Sequence, residues 1–178
     1  MTDRLRRLDV RFAEKVLGLR VGFPSVRVVL SGREALDLWY IETEDGMKPA
    51  LPHYTRSLDA AWEGVEALAA KYRDSTPGNE DRYEFSVELG YRSVDVRTWA
   101  PLCYIATVYP DGVDGNEPGV YALVSSDERI LERLEPQFTG YRDDKDKPVV
   151  MVDPDPHPAE ALCLACLRAV GVPEEDLK

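Results

Sequence analysis

The stretch Leu51–Tyr72, LPHYTRSLDAAWEGVEALAAKY, constrains the fold more than any other, because it declares a helix start, a buried face and a wet face at once. Leu58, Ala61, Trp62, Val65, Leu68, Ala69 and Tyr72 recur at the three- and four-residue spacing of a single helical face. Asp59, Glu63, Glu66, Lys71 and Arg73 take the other positions and need water. Ser57 is the expected N-cap: its hydroxyl can accept from a first-turn N–H, and Asp59 sits where the helix dipole favours negative charge. With the Trp62 ring in the core, truncation to alanine is expected to cost about 3–5 kcal/mol.

Two further helices are legible. Thr2–Leu17 places Leu5, Leu8, Phe12 and Val16 on one face, with Gly18 where a helix stops, and Arg4, Arg7, Arg11 and Lys15 on an adjacent stripe. HPAEALCLACLRAVG has Pro158 at its first position, Gly171 and Pro173 at its end, and only Glu160 and Arg168 charged within its body, so it must be buried on most sides.

Strands fill the interval. Val26–Leu30 and Leu36–Ile41 flank Ser31-Gly32 and predict a hairpin, and Asp45-Gly46 with Pro49 breaks the chain after it. DSTPGNED, residues 74–81, reads as a loop. Tyr83, Phe85, Val87 and Leu89 alternate with Glu84, Ser86 and Glu88, the pattern of a strand with one buried face. Further strands are expected over Ser93–Trp99, Leu102–Tyr109, Val120–Val124 and Pro148–Val152, and PDGVDGNEPG turns the chain between the second and third of these. Ser126 is read as the cap of a short helix with Ile130, Leu131 and Leu134 inward.

At 178 residues the chain is read as one domain, residues 1–178, large enough to bury its core without a metal or disulfide staple. No apolar run is long enough to cross a bilayer, and MTDRLRRLDV lacks the apolar core of a signal peptide, so the reading is cytoplasmic with no membrane partner. Three cysteines without framework spacing agree with a reducing compartment. The net charge of −11 argues against non-specific nucleic-acid binding. Residues 1–40 carry eight Lys or Arg and five Asp or Glu, a balance of +3, whereas residues 41–178 carry fourteen and twenty-eight, a balance of −14. A locally basic first helix thus sits on an acidic body.

No nucleophile, base and oxyanion donor can be read together, so no catalytic residue and no cofactor is assigned. Cys163 and Cys166 form a CxxC inside an apolar helix and are read as core side chains that stay unreactive. Asp153, Asp155 and His157 alternate, as metal ligands on an extended backbone would, but proline-spaced acids before a helix read better as a rigid turn and cap, and no metal site is assigned. His53, Tyr54, Thr55, Arg56 and Ser57 lead into a helix N-terminus, whose free N–H groups suit an anion; Tyr54 could stack and Arg56 add charge. With Arg56 in water, Arg56→Glu is expected to weaken a phosphate-bearing ligand by about 1.5–3 kcal/mol and leave folding almost unchanged. Arg4, Arg7 and Arg11 form the second candidate anion surface. Nine tyrosines against four phenylalanines favour a recognition surface.

Phe12–Val21, then YTRSLDAAWEGVEAL with Ser57, Asp59, Ala60, Ala61, Trp62 and Val65, then PAEALCLACLRAVG: these three segments in this order resemble the phage ABA sandwich family of tailed phages and prophages. The resemblance implies an α+β fold, a three-layer α/β/α sandwich with a mainly antiparallel central sheet, and a phage or prophage origin. It implies no reaction. Residues 22–48 and 110–155 depart from the pattern as insertions. The expected function is an accessory protein in the host cytoplasm that sequesters a small anionic ligand, such as a nucleotide immune signal, and so evades host defence. The alternative is a protein–protein interaction module docking on a host or phage protein; a metal-dependent hydrolase comes third, and a symmetric homodimer is the default assembly.

Overall fold

A computed structural model of the chain describes residues 3–22, 39–74, 86–92, 103–109, 119–138 and 147–178. In chain order these form α1 (Asp3–Lys15), β1 (Arg20–Gly22), β2 (Tyr40–Glu42), a 3₁₀ turn at Tyr54–Arg56, α2 (Leu58–Asp74), β3 (Ser86–Arg92), β4 (Cys103–Tyr109), β5 (Val120–Ser125), α3 (Glu128–Leu134), β6 (Val149–Val152) and α4 (Pro158–Ala169). The class is α+β. β3, β4, β5 and β6 make a sheet in that order, with two antiparallel pairings and a parallel one between β5 and β6. β1 and β2 pair separately.

The pivot of the structure is α4, and its composition explains why: every residue from Ala159 to Leu167 is buried. His157 caps it, its Nδ1 accepting from the Ala159 N–H at 3.2 Å, and Gly171 at φ +83° lets the chain leave. One face of the sheet, through Ala106, Val108, Ala122 and Val124, packs on α4; Leu5, Leu8 and Phe12 of α1 and Ala61, Val65 and Leu68 of α2 join the same core. On the opposite face Cys103, Tyr121 and Leu123 lie under Ile130, Leu131 and Leu134 of α3. α3 touches β5 and β6 and covers Cys103 of β4, whereas Glu88 and Gly90 of β3 on that face are exposed.

Several expectations change. Trp62 is 44% exposed, so it is not a core side chain, and Leu58 is exposed as well. The buried strip of α2 runs instead through Ala61, Gly64, Val65 and Leu68. A Cβ on Gly64 would lie 2.2 Å from Cζ of Phe12, so α1 seats its largest ring where α2 has no side chain. Trp62→Ala should therefore cost only about 1–2 kcal/mol, in line with the part of the ring that is covered, as urea unfolding would show. The described part of β3 begins at Ser86, and Tyr83 and Phe85 of the predicted buried set lie outside the described residues; Val87 packs on the core, whereas Leu89 is exposed. The N-cap of α3 is Asp127, which accepts from Arg129 N–H at 3.0 Å, and Ser126 is exposed. Most of the predicted hairpin at 26–41, the loop at 74–81, the strand at 93–99 and the turn at 110–119 fall outside the described residues.

Cys163 and Cys166 are buried in α4, and burial pushes the Cys166 thiol up to about 12 and that of Cys163 well above its ordinary value. Neither should react with a thiol reagent in the native state, whereas both should label in denaturant, as intact-mass measurement would read. Among the described residues no helix is long and apolar enough to cross a membrane.

Candidate functional site

The candidate anion site lies where three segments meet: the first turn of α1, the 3₁₀ turn at 54–56, and the link from β6 into α4. Arg4 points from α1 to the link, donating from Nη2 to Asp153 Oδ2 at 3.1 Å and to Glu160 Oε1 at 2.5 Å. Arg56 reaches the same carboxylate, with Nη2 3.4 Å from Asp153 Oδ2, while its Nη1 donates to the Asp155 carbonyl and lies 3.8 Å from Asp155 Oδ2. Two of the predicted arginines are thus brought together, but around carboxylates of the protein itself. Only 23% of the Arg56 side chain is exposed, so the solvent-exposed side chain expected from the sequence becomes a clamp between segments. An incoming anion would have to displace charge-assisted bonds already made.

The acidic side of this cluster is asymmetric. Glu160 has no solvent exposure, and burial pushes its carboxyl up to about 7, opposed by Arg4 and reinforced by Asp153. Burial also raises Asp153, but the Asp155 N–H at 2.8 Å, the hydrogen bond with Glu160 and the two guanidinium groups outweigh it, and its carboxyl titrates below the usual range. As a carboxylate, Glu160 leaves Oε2 buried without a partner. Burial and the neighbouring Asp153 thus favour the protonated form of Glu160, while Asp153 is favoured as the carboxylate.

A second polar cluster fixes the same turn. Asp9, fully buried on α1, accepts from the Thr55 N–H at 2.8 Å and the Thr55 hydroxyl at 2.9 Å through Oδ1, and from Arg6 Nη1 at 3.1 Å through Oδ2. Arg6 also donates to the carbonyls of Leu51 and Pro52, both at 2.9 Å. Burial raises the Asp9 carboxyl, and the Thr55 and Arg6 contacts oppose that rise. Thr55 is consequently a buried strut. Tyr54 is fully buried too, its ring 4.9 Å from that of Phe12, which removes the stacking role expected of it; burial pushes its hydroxyl up to about 12. Ser57 caps α2, accepting from the Ala60 N–H at 3.3 Å. His53 is exposed with Nδ1 3.6 Å from Asp9 Oδ2; Arg7 is exposed, and Arg11 donates to Asp176 at 3.1 Å.

Asp153, Asp155 and His157 serve as the turn and cap already described, and among the described residues no group of three His, Cys, Asp or Glu could hold a metal. Sequence reasoning missed Arg6 and Asp9, and did not assign Glu160 a partner. The signal for Asp9 was its place within the Leu5, Leu8, Phe12 stripe.

A second candidate surface lies elsewhere. On the sheet face that α3 covers in part, a groove of about 570 Å³ is lined by Glu88, Ile105, Thr107, Tyr109, Tyr121 and Phe138, among others. Its floor follows from the pairing: Glu88 lies opposite Thr107 and Gly90 opposite Ile105. Phe138 walls the side toward α3, its ring 5.0 Å from that of Tyr121. A Cβ on Gly90 would meet nothing within 4 Å, so the floor there has room for a side chain. No protein-family model, curated protein or solved structure matches the chain.

Proposed function

We propose that this protein is an accessory protein of phage or prophage origin, working in the host cytoplasm, that acts by docking on another protein and turns over no substrate. The observation that carries the reading is the groove on the α3 side of the sheet, lined by Tyr109, Tyr121 and Phe138, with Glu88 and Gly90 of β3 exposed along it. In the three-layer form of the fold that we infer, α4 backed by α1 and α2 forms one outer layer and α3 a partial second. Sequestration of a nucleotide ranks second, because Arg4 and Arg56 already face Asp153, Asp155 and Glu160. What favours it is the partial exposure of Arg56 at the start of α2.

The test uses the tagged full chain recovered from host cells, as wild type, Gly90→Phe and Arg56→Glu. Gly90→Phe fills the groove and suits an extended strand. Docking predicts a co-purifying protein that is lost in Gly90→Phe and kept in Arg56→Glu. A small molecule seen by native mass spectrometry in wild type and absent from Arg56→Glu would move the reading to sequestration.

A further inference from the structure

We propose a further docking surface on the wet side of α2, where Trp62 and Leu58 receive an extended basic segment of a partner protein, an Arg side chain lying over the indole and an apolar one on Leu58. The proposal extends the docking reading but rests on residues that the groove does not use. On a helix, the surface neighbours of a residue stand three and four positions away. For Trp62 these are Leu58, Asp59, Val65 and Glu66. Val65 is buried and turns one side of the ring toward the core; Leu58, Asp59 and Glu66 are exposed, and so is Glu63 beside them. The indole, 44% exposed, is thus an aromatic surface in water with one carboxylate a turn before it and another a turn after it.

The occupant's charge follows from these groups. Indole attracts a cation over its face more strongly than the other aromatic rings, and a planar guanidinium stacked there can turn its N–H groups toward Asp59 and Glu66. A partner carboxylate would instead meet Asp59, Glu63 and Glu66 with like charge. The cations of α2 itself, Lys71 and Arg73, follow Trp62 by nine and eleven positions, about 14 Å or more along the axis. Arg56, just before the helix, is already held by Asp153 and Asp155. Residues 41–178 carry a balance of −14, which steers a basic partner toward this body. The spacing suits an extended chain: side chains two positions apart on a strand lie about 7 Å apart on one side, close to the rise of about 6 Å from Leu58 to Trp62.

The probe is a fluorescein-labelled peptide of arginine–glycine–leucine–glycine repeats, with glutamine in place of arginine as control, read by anisotropy against the full chain at physiological salt. The arginine peptide should bind wild type at least about tenfold more tightly than the control. Trp62→Ala changes no charge and should weaken it about tenfold or more; Asp59→Asn with Glu66→Gln should weaken it about five- to tenfold and flatten its salt dependence. The same two-charge change on α3, at the exposed Glu128 and Glu132, should leave binding within about twofold of wild type. Each variant's thermal melt, expected to lie above the assay temperature, excludes unfolding as the cause. Equal binding to wild type and Trp62→Ala would overturn the proposal, and so would equal weakening by the α2 and α3 charge changes, which would mean attraction to acidic surface in general. Equal binding of the two peptides, with loss in Trp62→Ala, would overturn the basic occupant. If the arginine peptide fails to bind wild type, the α2 surface falls, while docking at the groove stands or falls on the co-purification test.

Discussion

Truncating Phe12 to alanine is expected to lower the unfolding free energy by about 3–5 kcal/mol, a large part of what holds a domain of this size together. The ring has no solvent exposure, lies 4.9 Å from Tyr54 and occupies the space that Gly64 leaves on α2. Its removal empties a volume bounded by α1, α2 and the 54–56 turn, and those segments are also tied by Asp9 and Arg6, so they cannot simply close over it. The pairing with Gly64 sharpens the test. Gly64→Ala alone should be destabilising, because its Cβ would meet the ring at 2.2 Å; in the Phe12→Ala background the same change should be neutral or favourable, since the obstructing atom is gone and alanine suits a helix better than glycine. Urea unfolding of the four proteins gives the coupling directly. Additive effects would show that Phe12 does not seat on Gly64.

The stability of wild type relative to Glu160→Gln should fall by roughly 3 kcal/mol between pH 4 and pH 8. In the folded chain the Glu160 carboxyl is raised from 4.5 to about 7. The folded protein therefore holds this proton more tightly than the unfolded one. The resulting stabilisation is complete below about pH 4.5 and is lost as pH rises through about 7, where a buried carboxylate forms with Oε2 unpartnered. The amide that replaces this carboxyl in the variant does not titrate, so the variant lacks that loss and becomes relatively more stable as pH rises. Asp153 works the other way: its lowered carboxyl contributes stability at neutral pH that is lost as pH falls through its folded value. Comparing wild type with Glu160→Gln at each pH cancels the Asp153 part to first order. A difference that is flat from pH 4 to pH 8 would mean that Glu160 is not the proton carrier of the pair.

Much of the secondary structure was written in local signals. The cap at Ser57, the proline and glycine bounding α4, and the apolar run of β4 each depend on residues within a few positions of one another, and helix starts, stops and strand burial are decided at that range. The error at Trp62 has a definite source. A helical wheel gives an apolar face its direction only to within the width of the stripe, and Trp62 sits at its edge. Which line of that face touches its neighbour was chosen when Phe12, from a helix far away in sequence, found the gap at Gly64. Leu89 was misassigned for a related reason: alternation identifies the two faces of a strand, but whether a layer extends far enough to cover a given position depends on the size and placement of the helices.

The sequence by itself therefore determined an α+β chain with a nearly all-buried C-terminal helix and an amphipathic helix after Ser57, because periodicity and capping act between near neighbours. It also named the segment 53–57 and, as a separate surface, Arg4, Arg7 and Arg11 as candidates for an anion. Only the tertiary structure decided what those residues meet. Arg4 and Glu160 are 156 positions apart and Asp9 and Thr55 are 46, and a charge carries no mark of its distant partner. Such pairs form only when packing has brought the segments together and removed the water that would otherwise satisfy them. The same packing that spent the arginines on internal carboxylates left Glu88 and Gly90 of β3 exposed beside a groove, and the placement of α3 on β5 and β6 is a long-range outcome that no local pattern encodes.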